Sequence, residues 1–417
     1  MKRNYYIVGL ILLTFFVISF FTNILGALNQ SVSDSFGLTE TMAGFLPFSF
    51  FIAYGVMSIP SGFLLERYRE KRMLVVAFAL ALAGALGFAS SPTFTVFMIS
   101  LFTIGTGMAM LQVIINPLLR VSGGEENYAF TSVMAQLIFG AASFISPLMY
   151  SYLVVNIDKG AVHKPFIETV SALVPQSMSW VSVYWVFVVI ALLMIVVMLI
   201  TRFPKVELKE DEKVGTRQSY LTLFKNRYVI LFFLGIFAYV GTEQGISYWM
   251  SKYLLTYHGF DNETVGASAV AYFWGLMTIG GILGLLLLKI LDSKVVLRGF
   301  TILAVISLLL GLFGPDQLSL YAFPISGFFL SVMYPIIISL ALNSVKSHHG
   351  SFAGILMTGI MGGAVVQILV GFISDLSSLK VGMLILLIPM GYILSIGFWA
   401  KPLITNRTLK LKEILKK

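Results

Sequence analysis

The length of its uncharged stretches is the feature that most constrains how this chain folds. Residues 73–119 form a run of 47 side chains without a formal charge, interrupted by a Ser-Ser-Pro turn at 90–92. A membrane-crossing helix needs about 20 mostly apolar residues, so this run predicts two such helices. Only 11% of the 417 residues are charged, against roughly 25% in soluble domains. So few charges could not cover the surface of a soluble protein, which excludes cytosolic enzymes and nucleic-acid binders.

Twelve membrane-spanning helices are predicted when the same criterion is applied to the whole chain. The predicted spans are residues 4–33, 41–65, two within 73–119, 128–155, 180–201, 228–250, 264–288, 299–313, 318–345, 351–374 and 381–400. The first stretch is too long for a signal-peptide core and is therefore retained as a span. The predicted fold class is an all-α membrane protein with twelve transmembrane helices.

These spans form two groups of six around a charged segment. We predict an N-terminal six-helix bundle for residues 1–201, a cytoplasmic linker for 202–227, and a C-terminal six-helix bundle with a basic cytoplasmic tail for 228–417. This arrangement is similar to the major facilitator layout, in which two pseudo-symmetric halves enclose a substrate site near the midplane. We expect such a protein to work as a monomer.

The basic residues indicate how the chain is oriented. With a cytoplasmic N-terminus, 24 of the 28 Lys and Arg residues lie on the cytoplasmic side, and the outer loops hold Lys159, Lys164, Lys252 and Lys380. Cytoplasmic loops of membrane proteins are enriched in Lys and Arg, so both termini are predicted to be cytoplasmic. Because the chain has no cysteine, a disulfide or a thiolate metal site is excluded, and neither a cofactor nor a metal is predicted.

One acidic residue, Glu243, falls inside a predicted span. Ionisable groups within a membrane are costly and are functional candidates by default. Glu243 could couple transport to a proton or cation, or accept hydrogen bonds from a polyol. The alternative is a neutral carboxylic acid held by helix packing. At about 22 Å along its predicted span, at 1.5 Å per residue, we expect it somewhat outside the midplane.

Amide and aromatic side chains supply a second set of candidates. Amides both donate and accept hydrogen bonds, which suits an uncharged substrate with many hydroxyl groups, and aromatic rings can stack on the apolar face of a sugar. The alternative for the amides is hydrogen bonding between helices, and for the aromatics an interfacial position. The predicted substrate-binding residues are Asn23, Gln112, Asn116, Gln136, Gln244, Tyr248, Trp249 and Trp274.

Several motifs resemble the fucose permease family of the major facilitator superfamily, which includes glucose/galactose and N-acetylglucosamine permeases. The motifs are LTETMAGFLPFSFFIAYGVMSIPSGFLL at 38–65, LQVIINP at 111–117, FAYVGTEQG at 237–245, YPIIISLAL at 334–342 and GIMGGAVVQILVGFISD at 359–375. They occur in both halves of the chain. The resemblance implies the major facilitator fold and sugar transport.

The sequence departs from the fucose–proton symporter branch at three positions. That branch has an acidic residue in helix 1 and a glutamate in helix 4, where this chain has Gly26 and Gln112. An arginine often found in helix 8 is replaced by Gly281. Gln112 together with Glu243 is more similar to the glucose/galactose and N-acetylglucosamine branches. The resemblance therefore leaves Glu243 as the coupling group.

The sequence thus predicts a secondary active transporter of the bacterial cytoplasmic (inner) membrane that is not an enzyme. It would import a monosaccharide, either a hexose or an N-acetylhexosamine, by symport with a proton or sodium ion. Its partners would be the sugar and the lipid bilayer, without nucleic acid. The alternative is a polyspecific efflux antiporter for lipophilic or cationic compounds, because a lone membrane glutamate among Met- and Phe-rich helices fits that function too.

Overall fold

The computed structural model describes residues 4–124, 128–159, 165–203, 217–345 and 348–403. Among these residues, twelve helical stretches are long and apolar enough to cross a membrane, which confirms the predicted count. Spans 1 to 6 comprise the helices Tyr5–Thr22 with Leu25–Phe36, Glu40–Arg67, Glu70–Ser90, Phe94–Gly123, Tyr128–Lys159 and Ser182–Ile200. Spans 7 to 12 comprise Arg227–His258, Ala267–Ile290, Ser293–Phe313, Asp316–Leu330 with Met333–Leu342, His349–Thr358 with Gly362–Leu376, and Leu379–Leu384 with Leu387–Trp399.

Span 7 differs most from its predicted length. The predicted span stopped at residue 250, before the charged Lys252, whereas the helix continues to His258. Lys252 is therefore not a loop residue: it lies inside the helix, is 6% exposed, and forms an ion pair with Glu40 of span 2. Charge alone is a poor marker of a helix end when another span supplies the counter-charge.

Several spans are interrupted near their middle, which the sequence did not predict. Span 1 breaks after Thr22, where Asn23 leaves the helical conformation. Span 10 breaks at residues 331–332, and span 11 contains a 3-10 turn at Gly359–Met361. In transporters, interrupted helices lie near the midplane and free main-chain and side-chain groups for ligands. These breaks mark the centre of the molecule as the place to look for a site.

Spans 1–6 form the N-terminal half and spans 7–12 the C-terminal half, and the two halves meet along three pairs of spans. Span 1 packs on span 7, span 2 on span 11, and span 5 on span 8. Spans 2 and 11 approach closely at Gly44 because glycine has no side chain. A Cβ atom there would clash with the main-chain oxygen of Gln367. The boundaries of the two predicted bundles stay a prediction.

The twelve spans place the connections 1–2, 7–8 and 11–12 on one side of the molecule, which we call the loop face, and the two ends of the chain on the termini face. Of the predicted linker, residues 217–224 form a short helix, while 204–216 lie outside the described residues, as does the basic tail from 404. The long connection between spans 5 and 6 contains the short helix Pro165–Ser171.

Candidate functional site

Two of the predicted amides meet at the centre, one from each half. Asn23 lies at the break in span 1 and is 3% exposed. Its Nδ2 donates a hydrogen bond to Ser143 Oγ of span 5 at 2.8 Å, and its Oδ1 lies 3.5 Å from Gln244 Nε2 of span 7. A polar contact between the halves therefore lies at the level where span 1 is interrupted.

Glu243 lies next to this contact, at the midpoint of span 7. It is the 17th of the 32 residues of the helix Arg227–His258, which is closer to the middle of its helix than the predicted span indicated. The difference arises because the predicted span ended eight residues too early. Glu243 is only half-buried.

The described partners of the Glu243 carboxyl group are neutral. Tyr239 Oη, one turn earlier on span 7, donates a hydrogen bond to Glu243 Oε1 at 3.1 Å, and the Gln244 amide is adjacent. A carboxylate that has no cation beside it is expensive to hold inside a membrane protein. Uptake of a proton or cation at Glu243 would remove that cost, which is the property that ion coupling requires.

Spans 4 and 5 present three further amides toward the termini face. Gln112 is half-buried and Asn116, one turn later, is exposed and donates to the Gln112 main-chain oxygen at 3.1 Å. Gln136 of span 5 is exposed as well. Polar side chains within membrane spans face the bundle interior or a water-filled cavity rather than lipid. These three amides therefore indicate a wet cleft between the halves.

Two of the predicted substrate-binding residues carry polar atoms that lack a protein partner. Gln112 Oε1 and Trp274 Nε1 are both buried without a hydrogen bond to any described residue. Trp274, on span 8, is 3% exposed overall. Buried polar atoms in proteins are nearly always hydrogen-bonded, and an exception calls for a bound water or ligand. One acceptor and one donor are thus free for a substrate.

The other two predicted aromatics are engaged in packing. Tyr248 Oη donates to the main-chain oxygen of Ala43 on span 2 at 2.6 Å. Trp249 is fully buried, and its Nε1 donates to Gln367 Oε1 of span 11 at 3.0 Å. The Gln367 Nε2 in turn donates to the Gly241 main-chain oxygen at 3.3 Å. In this conformation both rings join helices instead of lining open space.

Tyr54 and Tyr334 also belong to the central cluster, although the sequence did not single them out. The Tyr334 ring lies 5.6 Å from that of Tyr239, beside Glu243. Tyr54 of span 2 lies next to Thr22 and close to Tyr334. Membrane tyrosines are common at the interface, so only the depth of a residue in its span could have separated these two. For Tyr334, the Tyr-Pro pair near the middle of the predicted span 318–345 was a further signal.

Comparisons with known proteins identify the fold. The sequence profile of the Major Facilitator Superfamily matches residues 10–368. The chain is 28% identical to the glucose/galactose transporter of Brucella abortus biovar 1 (strain 9-941) over 95% of this chain and 94% of that protein. It is 26% identical to the L-fucose-proton symporter of Escherichia coli (strain K12), over 90% of this chain and 88% of the symporter.

Solved structures agree with this assignment. The E. coli fucose:proton symporter superposes with a TM-score of 0.67 at 22% identity, over 94% of this chain and 98% of the symporter. A bacterial homologue of the human lysosomal transporter Spinster, in an inward-facing and unoccupied conformation, gives 0.76 at 13% identity, over 95% and 96% of the two chains. The predicted fold and the resemblance to the fucose permease family are confirmed.

The bond between Trp249 and Gln367 predicts a stability effect. A Gln367→Leu substitution leaves the buried indole N–H without an acceptor, which costs roughly 1–3 kcal/mol, so we expect a lower melting temperature of the purified protein. Adding Trp249→Phe removes the unpaired donor, so the double variant should lose less than the sum of the two single losses. Strictly additive losses would show that this bond does not hold span 7 to span 11.

Proposed function

Because the chain belongs to the Major Facilitator Superfamily, we propose that it imports a monosaccharide by proton-coupled symport with alternating access. The substrate class is a hexose or an N-acetylhexosamine. The names of the relatives support sugar as the substrate, since they include a glucose/galactose transporter and an L-fucose-proton symporter. The symporter's name supports a proton as the coupling ion, whereas none of these names supports sodium.

The observation that carries the proposal is the pair of unpartnered buried atoms, Gln112 Oε1 and Trp274 Nε1. Hydroxyl groups can donate to the first atom and accept from the second, and a monosaccharide offers several of them. Leaving either atom unpaired costs about 1–3 kcal/mol, so a polyol that satisfies them gains that free energy on binding. Asn116 and Gln136 would complete the polar lining.

In the proposed mechanism, Glu243 links the coupling ion to reorientation of the halves. A charged Glu243 among neutral partners opposes closure around it, because closure removes its water. A protonated Glu243 together with bound sugar removes that opposition, so the loaded carrier can reorient. Asn23 and Gln244 lie where the halves meet, and both would exchange their mutual contact for contacts with sugar hydroxyl groups.

We further propose that both termini are cytoplasmic and that the protein works as a monomer in the bacterial cytoplasmic membrane. The distribution of Lys and Arg supports the orientation. The efflux alternative needs Glu243 and aromatic surfaces but not the amides. The engagement of Tyr248 and Trp249 in packing and the unpaired Gln112 oxygen favour sugar over a lipophilic cation.

Uptake into proteoliposomes tests the proposal. Labelled glucose, galactose, N-acetylglucosamine and fucose are supplied with an imposed proton gradient, with a sodium gradient, or with neither. We expect glucose, galactose or N-acetylglucosamine to accumulate when the proton gradient is imposed, and not with the sodium gradient or with neither gradient. Accumulation driven by sodium alone would refute proton coupling, and no uptake of any sugar would refute the proposed substrate class.

Glu243→Gln tests the coupling role. Glutamine keeps the size and the hydrogen bond with Tyr239 but cannot take up a proton. We therefore expect loss of accumulation against a gradient, while exchange of labelled for unlabelled sugar across the membrane continues. Asp158→Asn is the control, since Asp158 is an exposed carboxylate at the loop-face end of span 5. Wild-type accumulation by Glu243→Gln would exclude Glu243 as the coupling group.

Asn116→Ala tests the amide lining against a matched asparagine. Asn116 and Asn156 each donate to the main-chain oxygen four residues earlier, at 3.1 and 2.6 Å, and both of these hydrogen bonds are exposed. The two residues differ in position, since Asn156 lies at the loop-face end of span 5. Loss of one sugar contact worth about 1 kcal/mol should raise KM for sugar roughly 5-fold in Asn116→Ala and leave Asn156→Ala unchanged. Equal KM values would remove Asn116 from the site.

A further inference from the structure

The start of span 2 is held by charged groups from two spans of the opposite half. Lys252 Nζ of span 7 lies 2.7 Å from Glu40 Oε2 and 3.5 Å from Ser33 Oγ of span 1. The Lys252 side chain is 8% exposed and that of Glu40 25%. The pair therefore joins the halves at the loop face, where Lys252 is nearly shielded from water.

The carboxylate of Asp375, at the end of span 11, binds main-chain N–H groups in the same turn of span 2. Its Oδ1 accepts from the Glu40 N–H at 2.8 Å, and its Oδ2 accepts from the Thr41 N–H at 2.8 Å and from Thr41 Oγ1 at 2.5 Å. The first N–H groups of a helix lack partners within the helix, and a negative charge there also interacts favourably with the helix dipole. Asp375 thus caps a helix that belongs to the other half.

Two further bonds between the halves lie between the midplane and the loop face. Asn29 Nδ2 of span 1 donates to the Tyr248 main-chain oxygen at 3.1 Å, and Tyr248 Oη reaches Ala43. Together with Lys252 and Asp375, these groups seal the loop face. In an alternating-access transporter, every one of these bonds must break before the loop face can open.

We propose that Lys252, Glu40 and Asp375 form a latch that sets how readily the loop face opens. They are positioning residues for the reorientation step, because their bonds join spans 2, 7 and 11 at the loop face, away from Glu243 at the midpoint of span 7. They act by holding two rigid halves together. The inference rests on alternating access in the superfamily and is independent of which solute moves.

The unequal burial of the ion pair determines what each substitution does. Glu40→Gln leaves a buried Lys252 cation without a counter-charge, which strongly destabilises the closed loop face. Lys252→Met leaves Glu40, whose side chain is 25% exposed although its Oε2 is buried, so its effect is smaller. The double variant removes both charges, so no uncompensated buried charge remains. Closure should therefore be restored.

Cysteine labelling measures the opening without any substrate. The chain has no cysteine of its own, so Ser247→Cys introduces a single thiol. Ser247 is 2% exposed, and its main-chain oxygen lies against Gly26 of span 1 on the loop-face side of the centre. A membrane-impermeant maleimide is applied to vesicles of each orientation, and the labelling rate from the loop face reports opening.

Relative to the Ser247→Cys parent, we expect Glu40→Gln to raise the labelling rate roughly tenfold or more, Lys252→Met to raise it less, and the double variant to return close to the parent. Asp375→Asn should also raise the rate, because the charge at the helix N-terminus is lost. Melting temperatures and gel-filtration profiles of the purified variants separate opening from misfolding, since a variant that opens without misfolding keeps the gel-filtration profile of the parent.

A second pair on the loop face supplies the matched control. His258 Nδ1 lies 2.7 Å from Asp316 Oδ1, but both residues belong to the C-terminal half. Asp316→Asn should leave the labelling rate at that of the parent. The latch is refuted if Glu40→Gln labels at the parental rate, or if the double variant labels as fast as Glu40→Gln. Failure of sugar uptake would not affect this result, because labelling requires no sugar.

Discussion

The break in span 1 at Asn23 is the constraint on which the centre of the molecule depends. In lipid, every main-chain polar group needs a partner within the protein, so a helix can be interrupted only where neighbouring spans supply one. The Asn23 N–H still bonds to the Ser19 oxygen at 3.0 Å, and its side chain reaches Ser143 in its own half and Gln244 in the other. The interruption is therefore stable only while the spans around it are packed, which places a polar, adaptable junction where the two halves meet.

Charge is used in two different ways along span 7. Glu243, at the midpoint, has the neutral partners Tyr239 and Gln244, so its ionisation state can change without breaking an ion pair. Lys252 has a fixed counter-charge in Glu40 of the other half. The first arrangement suits a group that must gain and lose an ion in each cycle. The second suits a contact that must be either made or broken as a unit.

The number of spans could be predicted from the sequence because the lipid bilayer imposes one simple rule, a long run without charges. The same rule ended span 7 too early at Lys252, since it cannot recognise a charge inside a span that another span neutralises. For the candidate site, residue type selected Asn23, Gln112 and Gln244 together with Trp249, whose N–H is bound to Gln367. A partner on span 11, more than a hundred residues away, decides whether an indole is free, and no local pattern encodes that. Tyr54 and Tyr334 were missed because residue type does not separate a tyrosine at the centre of the protein from one at the membrane interface.

The centre and the loop face are connected by one stripe of span 7. Gln244, Tyr248 and Lys252 follow each other at intervals of four residues, which places them on one face of the helix, and each contacts the N-terminal half. The stripe covers about 12 Å at 1.5 Å per residue, within a helix that runs without interruption from Arg227 to His258. When the halves separate at the loop face, a rigid span 7 that carries Lys252 away from Glu40 also moves Gln244 relative to Asn23. Opening of the loop face and a change at the central contact between the halves are therefore parts of one displacement of span 7.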